Sequence, residues 1–321
     1  MTLSPDTINQ FSSADEARHP AGADPWWQES IAIHWYDGRS GAGGMHRIGH
    51  EPNRVGGVIA HHHGVFDPDH RWRHNVRAPM GGQLDDAGFG DAAASWAVED
   101  GIGRLRVAAE DCALDLGVED IYGLTDFFPR GNASLTEEFA AHHYETSGIV
   151  HGTLRLGDRT HTIEGFSHRD HSWGIRLWKD ALASHRWISG VFGADLAFGS
   201  IVWNGPDGSL ARGGYIVRDG QVLLADSADV VTWLEVDGTT HRGGELTLTF
   251  GGEELLFTCR AIDGWLNEHH GVAWVDELCE VTHDGRTGYC DFEISTNPRM
   301  GTAPIRLCLA AASTDGLDAR G

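Results

Sequence analysis

The sequence predicts an all-β, antiparallel protein of two domains with little helix. Three observations carry this. Short apolar or alternating segments recur every 8–12 residues and are separated by glycine-rich turns, the rhythm of a strand-turn-strand chain. Glycine is abundant, 43 residues in 321, and comes with 12 tryptophans and 20 histidines. Such a composition suits many short strands and turns around an aromatic interior. At roughly 150 residues per domain, the length corresponds to about two domains.

The strands are read in order. Ile31–Tyr36 leads through a glycine-rich turn to Met45–His50, and then to Gly56–Val65. Leu105–Ala109, Cys112–Leu116, Ile121–Phe128, Gly148–Leu156 and His161–Ser167 follow. The second half repeats the style in Trp187–Phe192, Gly199–Trp203, Gly213–Arg218, Gln221–Asp226, Val230–Glu235, Glu245–Phe250, Glu254–Arg260, Val272–Thr282 and Gly288–Ser295. Leu135–His142 is expected as a short helix, with Ser134 and Glu137 forming a capping box. Ala92–Val98 is a second short helical candidate. Residues 1–24 read as a disordered or draped arm and 311–321 as a flexible tail. The domains are then 25–175 and 176–310. Two internal echoes point to duplication. Ser30–Gly49 resembles Gly199–Gly214, and Gly148–Arg169 resembles Gly271–Ser295, with Gly157-Asp158-Arg159-Thr160 matching Asp284-Gly285-Arg286-Thr287.

Composition excludes several functions. The net charge is −23, from 47 acidic against 24 basic residues, a field that repels nucleic acid. Lys179 is the only lysine, so nearly every cation is an arginine. No apolar run is long enough for a membrane span and no signal-peptide core precedes residue 24. The five cysteines (Cys112, Cys259, Cys279, Cys290, Cys308) are scattered, unlike a disulfide framework or zinc ribbon. A cytoplasmic location follows, with a homodimer left open. There is no Gly-x-Ser-x-Gly elbow, P-loop or dinucleotide fingerprint. No cofactor is therefore expected.

The densest chemical segment runs from Glu164 to Gly174. On a strand, Glu164, Phe166, His168 and Asp170 share one face, while Ser167, Arg169, His171 and Trp173 share the other. The first set resembles an acid/base constellation, because a desolvated carboxyl becomes a usable acid near neutrality. Arg169, His171 and Trp173 are alternatively struts of a polar network. A second cluster, His61, His62 and His63, puts His61 and His63 on one face as candidate metal ligands. Aromatic residues form a third set. Trp173, Trp178 and Trp187, with Trp35 and Tyr36, are candidate walls of an apolar pocket.

Asp170-His171-Ser172-Trp173-Gly174 resembles the Asp-His-Asn-Trp-Gly motif of the AttH-like and carotenoid 1,2-hydratase-like (hydroxyneurosporene synthase, CrtC-like) superfamily. Ser172 stands where that family often has Asn. The resemblance implies two tandem lipocalin-like (calycin-type) barrels, with Asp170, His171 and Trp173 in the family's site. The expected function is a lyase or isomerase acting without cofactor on a C=C bond of a hydrophobic isoprenoid-, steroid- or lipid-like substrate. Asp170, His168, Glu164 and His171 are its acid/base candidates, and Trp173, Arg169, Trp178, Trp187, Trp35 and Tyr36 its substrate-binding ones. A non-catalytic carrier of a hydrophobic molecule, or a metal enzyme using His61 and His63, are the alternatives.

Overall fold

A computed structural model describes residues 9–81, 88–126, 140–235 and 240–297. The described chain is nearly all β. Its strands are β1 (Asn9–Gln10), β2 (Trp27–Asp37), β3 (Ala42–Glu51), β4 (Val58–Phe66), β5 (Arg71–Pro79), β6 (Phe89–Gly90), β7 (Ala94–Glu99), β8 (Ile102–Ala108), β9 (Cys112–Asp120), β10 (Thr125–Asp126), β11 (His142–Leu156) and β12 (Arg159–Ile175). After the single-turn α1 (Trp178–Ala181) come β13 (Ser184–Gly193), β14 (Leu196–Asn204), β15 (Leu210–Arg218), β16 (Gln221–Leu224), β17 (Ser227–Leu234), β18 (His241–Phe250), β19 (Glu253–His269), β20 (Val272–His283) and β21 (Arg286–Thr296).

The chain divides into two compact units. One comprises Gln10–Asp126 with Ala140–Arg176, and the other is built mainly from Leu177 onward. Each holds one curled antiparallel sheet. The strand order is β5-β4-β3-β2-β12-β11-β9-β8-β7-β6 in the first and β16-β15-β14-β13-β21-β20-β19-β18-β17 in the second. In both, the unit's first long strand pairs with its last, as β2 with β12 and β13 with β21. Curling brings β6 against β3, and β17 against β14 and β15. These are two lipocalin-like barrels, the architecture implied by the Asp170–Gly174 motif.

The second echo has a structural basis and the first does not. Gly157-Asp158 and Asp284-Gly285 are the two-residue loops of equivalent hairpins, β11–β12 and β20–β21. Asp284 and Gly285 both take positive φ, the geometry that keeps a hairpin's twist right-handed. Ser30–Gly49 lies on β2–β3, whose topological counterpart is β13–β14, whereas Gly199–Gly214 spans β14–β15. That echo is therefore one hairpin out of register.

Three local expectations differ from the structure. Ala94–Glu99 is strand rather than helix, because every second residue, Ala94 and Trp96, is buried in the sheet. Ile121–Leu124 is irregular and only Thr125–Asp126 forms a strand, residues 127 and 128 lying outside the described residues. β5, Arg-Trp-Arg-His-Asn-Val-Arg-Ala-Pro, was hidden by its charge, since one of its faces is solvent-exposed. The expected helix at 135–142 lies outside the described residues except at its end, where His142 opens β11.

The barrels differ inside. The C-terminal unit's core is apolar: Ile188, Phe198, Val202, Leu246, Leu248, Phe257, Val281 and Phe292, with the thiols Cys259, Cys279 and Cys290. The N-terminal unit has an apolar half built on Trp35, Trp96, Leu105, Leu116 and Ile163. Towards the far end of β12 its inward positions turn polar.

Candidate functional site

Pairing register decides which side chains meet. His171 stands directly across from Tyr144 of β11 and Ile31 of β2, and Arg169 across from Thr146 and Ile33. Ile31 and Ile33 belong to the core cluster, so Arg169, His171 and Trp173 point into the barrel. Two glycines of β12 allow this strand to lie where it does. Gly174 has φ +130, and a Cβ there would meet Ala141 Cβ at 2.7 Å. A Cβ on Gly165 would meet the Tyr36 carbonyl at 2.1 Å.

Inside, the polar groups form one hydrogen-bonded chain. His171 Nε2 lies 2.9 Å from Glu29 Oε1, and Nδ1 lies 3.1 Å from the Tyr144 hydroxyl. The Tyr144 hydroxyl donates to Glu16 Oε2 at 2.8 Å. Arg169 donates to both Glu16 oxygens (3.0 and 2.6 Å) and to both Asp120 oxygens (3.1 and 2.6 Å). Beyond Glu29 the chain ends at His19, whose backbone N donates at 3.0 Å and whose Nδ1 lies 2.7 Å away. Trp173 stacks between His19 (3.8 Å) and His142 (5.0 Å), and Phe89 meets His171 edge-on.

The electrostatics follow from burial and partners. Burial alone would raise the Glu29 carboxyl, but hydrogen bonds from His171 and His19 outweigh it and hold Glu29 below its ordinary range. Burial would lower His19, yet Glu29 and Asp15 raise it. Burial pushes the Tyr144 phenol well above 10, so it stays a neutral donor. Burial also raises Asp120, against the pull of Arg169.

Three of these groups, His19, Glu29 and His171, present ligand atoms within 4.8 Å of one another. That is compact enough for a divalent ion. As placed, Glu29 accepts from both imidazoles, an arrangement that shares protons.

Residues 11–19 supply half of this site. Ser12 caps a 3-10 turn, Ser13–Glu16, in a capping box with Asp15. Phe11 packs on Tyr144 (5.5 Å) and Trp173 (5.7 Å), and its N–H donates to the Leu124 carbonyl. This part of the expected arm is thus a strap across the polar end of the barrel.

The other residues read from the sequence are dispersed. His168 and Asp170 lie on the outer face of β12: His168 Nδ1 is 3.2 Å from Ser147 Oγ, and Asp170 is half-buried across from Glu145 and Ala32. Glu164 shares that face, but six residues of strand carry it about 20 Å from Asp170. It is 62% exposed and ion-paired with Arg39 at 2.7 Å. Tyr36 faces outward and stacks on Phe66. Trp178 and Trp187 belong to the C-terminal unit, where Trp178 meets Trp274 and His269 edge-on and Trp187 meets His185.

Trp35, His61 and His63 form a second interior chain. Trp35 Nε1 donates to His46 Nε2 at 3.1 Å. His46 Nδ1 meets His63 Nδ1 at 3.1 Å, His63 Nε2 meets His61 Nδ1 at 3.1 Å, and His61 Nε2 meets Asp91 Oδ2 at 3.3 Å. The indole can only donate. That fixes every tautomer in turn and points each N–H towards Asp91. Burial holds His46 down to about 3 and His63 well below its ordinary value, so both stay neutral in this chain.

Sequence reasoning missed Tyr144, Glu29, Glu16, His19, Asp120, His46 and Asp91. No motif marks them. The one usable signal was sequence proximity, Tyr144 following directly on the His142-His143 pair.

Residues 12–298 match the family described as Domain of unknown function (DUF7064). The chain belongs to that family. No curated protein matches it in sequence. Among solved structures, it is similar to a protein from Nitrosomonas europaea described as an AttH, with TM-score 0.68 and 16% identity over 92% of this chain and 99% of that one. CghA, crystallised with Sch210972, aligns with TM-score 0.61 and 12% identity over 91% of this chain and 98% of that one. Kievitone hydratase from Nectria haematococca gives 0.60 and 9%, over 94% and 97%. These likenesses establish the tandem-barrel fold. Among the described residues, no helix is long and apolar enough to cross a membrane.

Proposed function

We propose that this chain is an acid/base enzyme that adds or removes water at, or shifts, a C=C bond of a hydrophobic small molecule held at the strap end of its N-terminal barrel. The observation that carries this reading is the Tyr144–His171–Glu29 chain: a neutral phenol, an imidazole and a carboxylate in hydrogen-bond reach of one another, walled by Trp173 and Phe89. Such a sequence is how a proton donor and acceptor are held in register. In a hydration, Tyr144, turned away from Glu16, gives its proton to one alkene carbon. Water attacks the other carbon and loses a proton to His171 Nδ1, which returns it to Tyr144. Glu29 holds His171 Nε2–H throughout, and the aromatic faces stabilise the electron-poor carbon. Two structural neighbours fit this reading, one being named a hydratase and the other having been crystallised with a small molecule.

Asp170 with His168 is the competing assignment, on the other face of the same strand. The test is mass spectrometry of a lipid extract incubated with protein, looking for a component changed by one water. His171→Asn is expected to cut that conversion about 10²–10⁴-fold, and Asp170→Asn to leave it within a few-fold. The reverse pattern moves the chemistry to Asp170. A ligand that is bound but recovered unchanged identifies a carrier.

A further inference from the structure

The strap's hold on the barrel is chemically specific. Its Glu16 carboxylate is gripped at both oxygens by Arg169 and also takes the Tyr144 hydroxyl proton. Beside it the strap lays a flat apolar ring, Phe11, against Trp173 and Tyr144. Arg169 is almost wholly buried, and a buried, forked guanidinium is selective for a planar carboxylate.

Arg169 has two carboxylate partners of different standing. Asp120 ends β9 and is fixed in the sheet. Glu16 belongs to a short turn outside the sheet, capped by its own hydrogen bonds through Ser12 and Asp15. Removing Glu16 still leaves Arg169 paired with Asp120. It also frees the Tyr144 proton to turn to His171 Nδ1, 3.1 Å away.

We infer that Arg169 and Tyr144 form a carboxylate-binding subsite for an aromatic or similarly flat hydrophobic acid, and that Glu16 and Phe11 are its intramolecular occupants. This rests on the proposed site and names the class of molecule that site takes. The bound acid displaces the strap's carboxylate, its apolar body replaces Phe11 against Trp173, and the phenol is redirected to His171.

The test is calorimetric titration of the full chain with 2-naphthoate and with the matched neutral amide, 2-naphthamide. Naphthoate is expected to bind and the amide to bind at least tenfold more weakly. Glu16→Gln, which loses the competing charge, is expected to tighten naphthoate binding about tenfold, the worth of one charge-assisted hydrogen bond. Phe11→Ala weakens the strap without touching Arg169 and is expected to tighten it as well. In the Glu16→Gln background, Arg169→Lys keeps the charge but loses the fork and is expected to undo the gain. Thermal melts establish that each variant folds. Equal binding of acid and amide, no tightening in either strap variant, or no naphthoate binding by Glu16→Gln overturns the inference. The two readings fail separately. Turnover of a neutral substrate by a protein that ignores naphthoate sinks the subsite alone. Undiminished turnover in His171→Asn, with naphthoate bound as expected, sinks the acid/base assignment alone.

Discussion

The two barrels share a strand order and a hairpin design, and each buries an arginine with histidines and carboxylates (Arg186, His241 and Glu277 in the C-terminal unit), but the balance of their interiors differs. The C-terminal one is closed by stacked rings, with Phe198 on Phe257 at 4.1 Å, and by buried thiols; burial pushes Cys279 up to about 11, where it is inert. The N-terminal one buries a guanidinium, carboxylates and a row of imidazoles. An apolar interior is held by area and close packing. A polar one survives only where every donor meets an acceptor. The difference has a visible origin in strand length. β12 runs 17 residues against 11 for β21. With their hairpins aligned, Arg159 matches Arg286 and Arg169 matches Thr296, so Asp170–Ile175 has no counterpart within β21. His171 and Trp173 lie on that extension.

Single substitutions should therefore fail differently in the two units. Phe257→Ala is expected to cost about 3–5 kcal/mol by opening a cavity, read as a shifted denaturant midpoint. Arg169→Met is expected to cost a similar amount for another reason, since Asp120 and Glu16 lose their cation. The two separate on repair. Adding Asp120→Leu and Glu16→Leu to Arg169→Met should recover most of the loss, because a buried ion cluster replaced whole is often neutral. No second polar change is expected to repair Phe257→Ala. If the triple variant stays as unstable as Arg169→Met, the polar interior is held by packing and the contrast collapses.

A smaller effect tests the imidazole chain. His63→Leu leaves His46 Nδ1 and His61 Nδ1 without their partner and is expected to cost about 1–3 kcal/mol.

Acid should also distinguish the units. Burial, with nearby cations adding to it, holds His46 to about 3 and His50 to about 4, and lowers His61, His63 and His168. Each such imidazole takes up a proton on unfolding, so stability falls as pH drops from about 6.5 towards the folded value. In the C-terminal unit, His185 (about 3) and His241 behave the same way. The N-terminal barrel should then lose amide-exchange protection first as pH falls. Equal loss in both units contradicts this.

The smallest effect lies on the alkaline side. His19 has a raised pKa in its bond to Glu29, so what it adds to strap docking is complete below about 6.5 and fades as pH rises through the folded value. Exchange of the Arg18 and His19 amides should quicken over that range, by no more than the roughly 1 kcal/mol of a partly exposed ion pair.

The sequence by itself determined a good deal. Strand rhythm, glycine spacing and the 157–160 and 284–287 turns announced antiparallel β structure and a repeat, because hairpin chemistry is local. Alternation divided the residues of Glu164–Trp173 between two faces as the structure has them, since it is obligatory on a strand. The tertiary structure alone decided which face points inward. That depends on the register of β12 against β2 and β11, fixed by apolar residues such as Ile31, Ile33 and Ile163 on other segments. Only the fold could bring Tyr144, Glu29 and a strap at residues 11–19 around His171. A hydrogen-bonded chain joining residues as distant in sequence as Glu16 and Arg169 leaves no local trace. Glu16 and His19 read as surface arm until a buried arginine and a buried glutamate are found waiting for them.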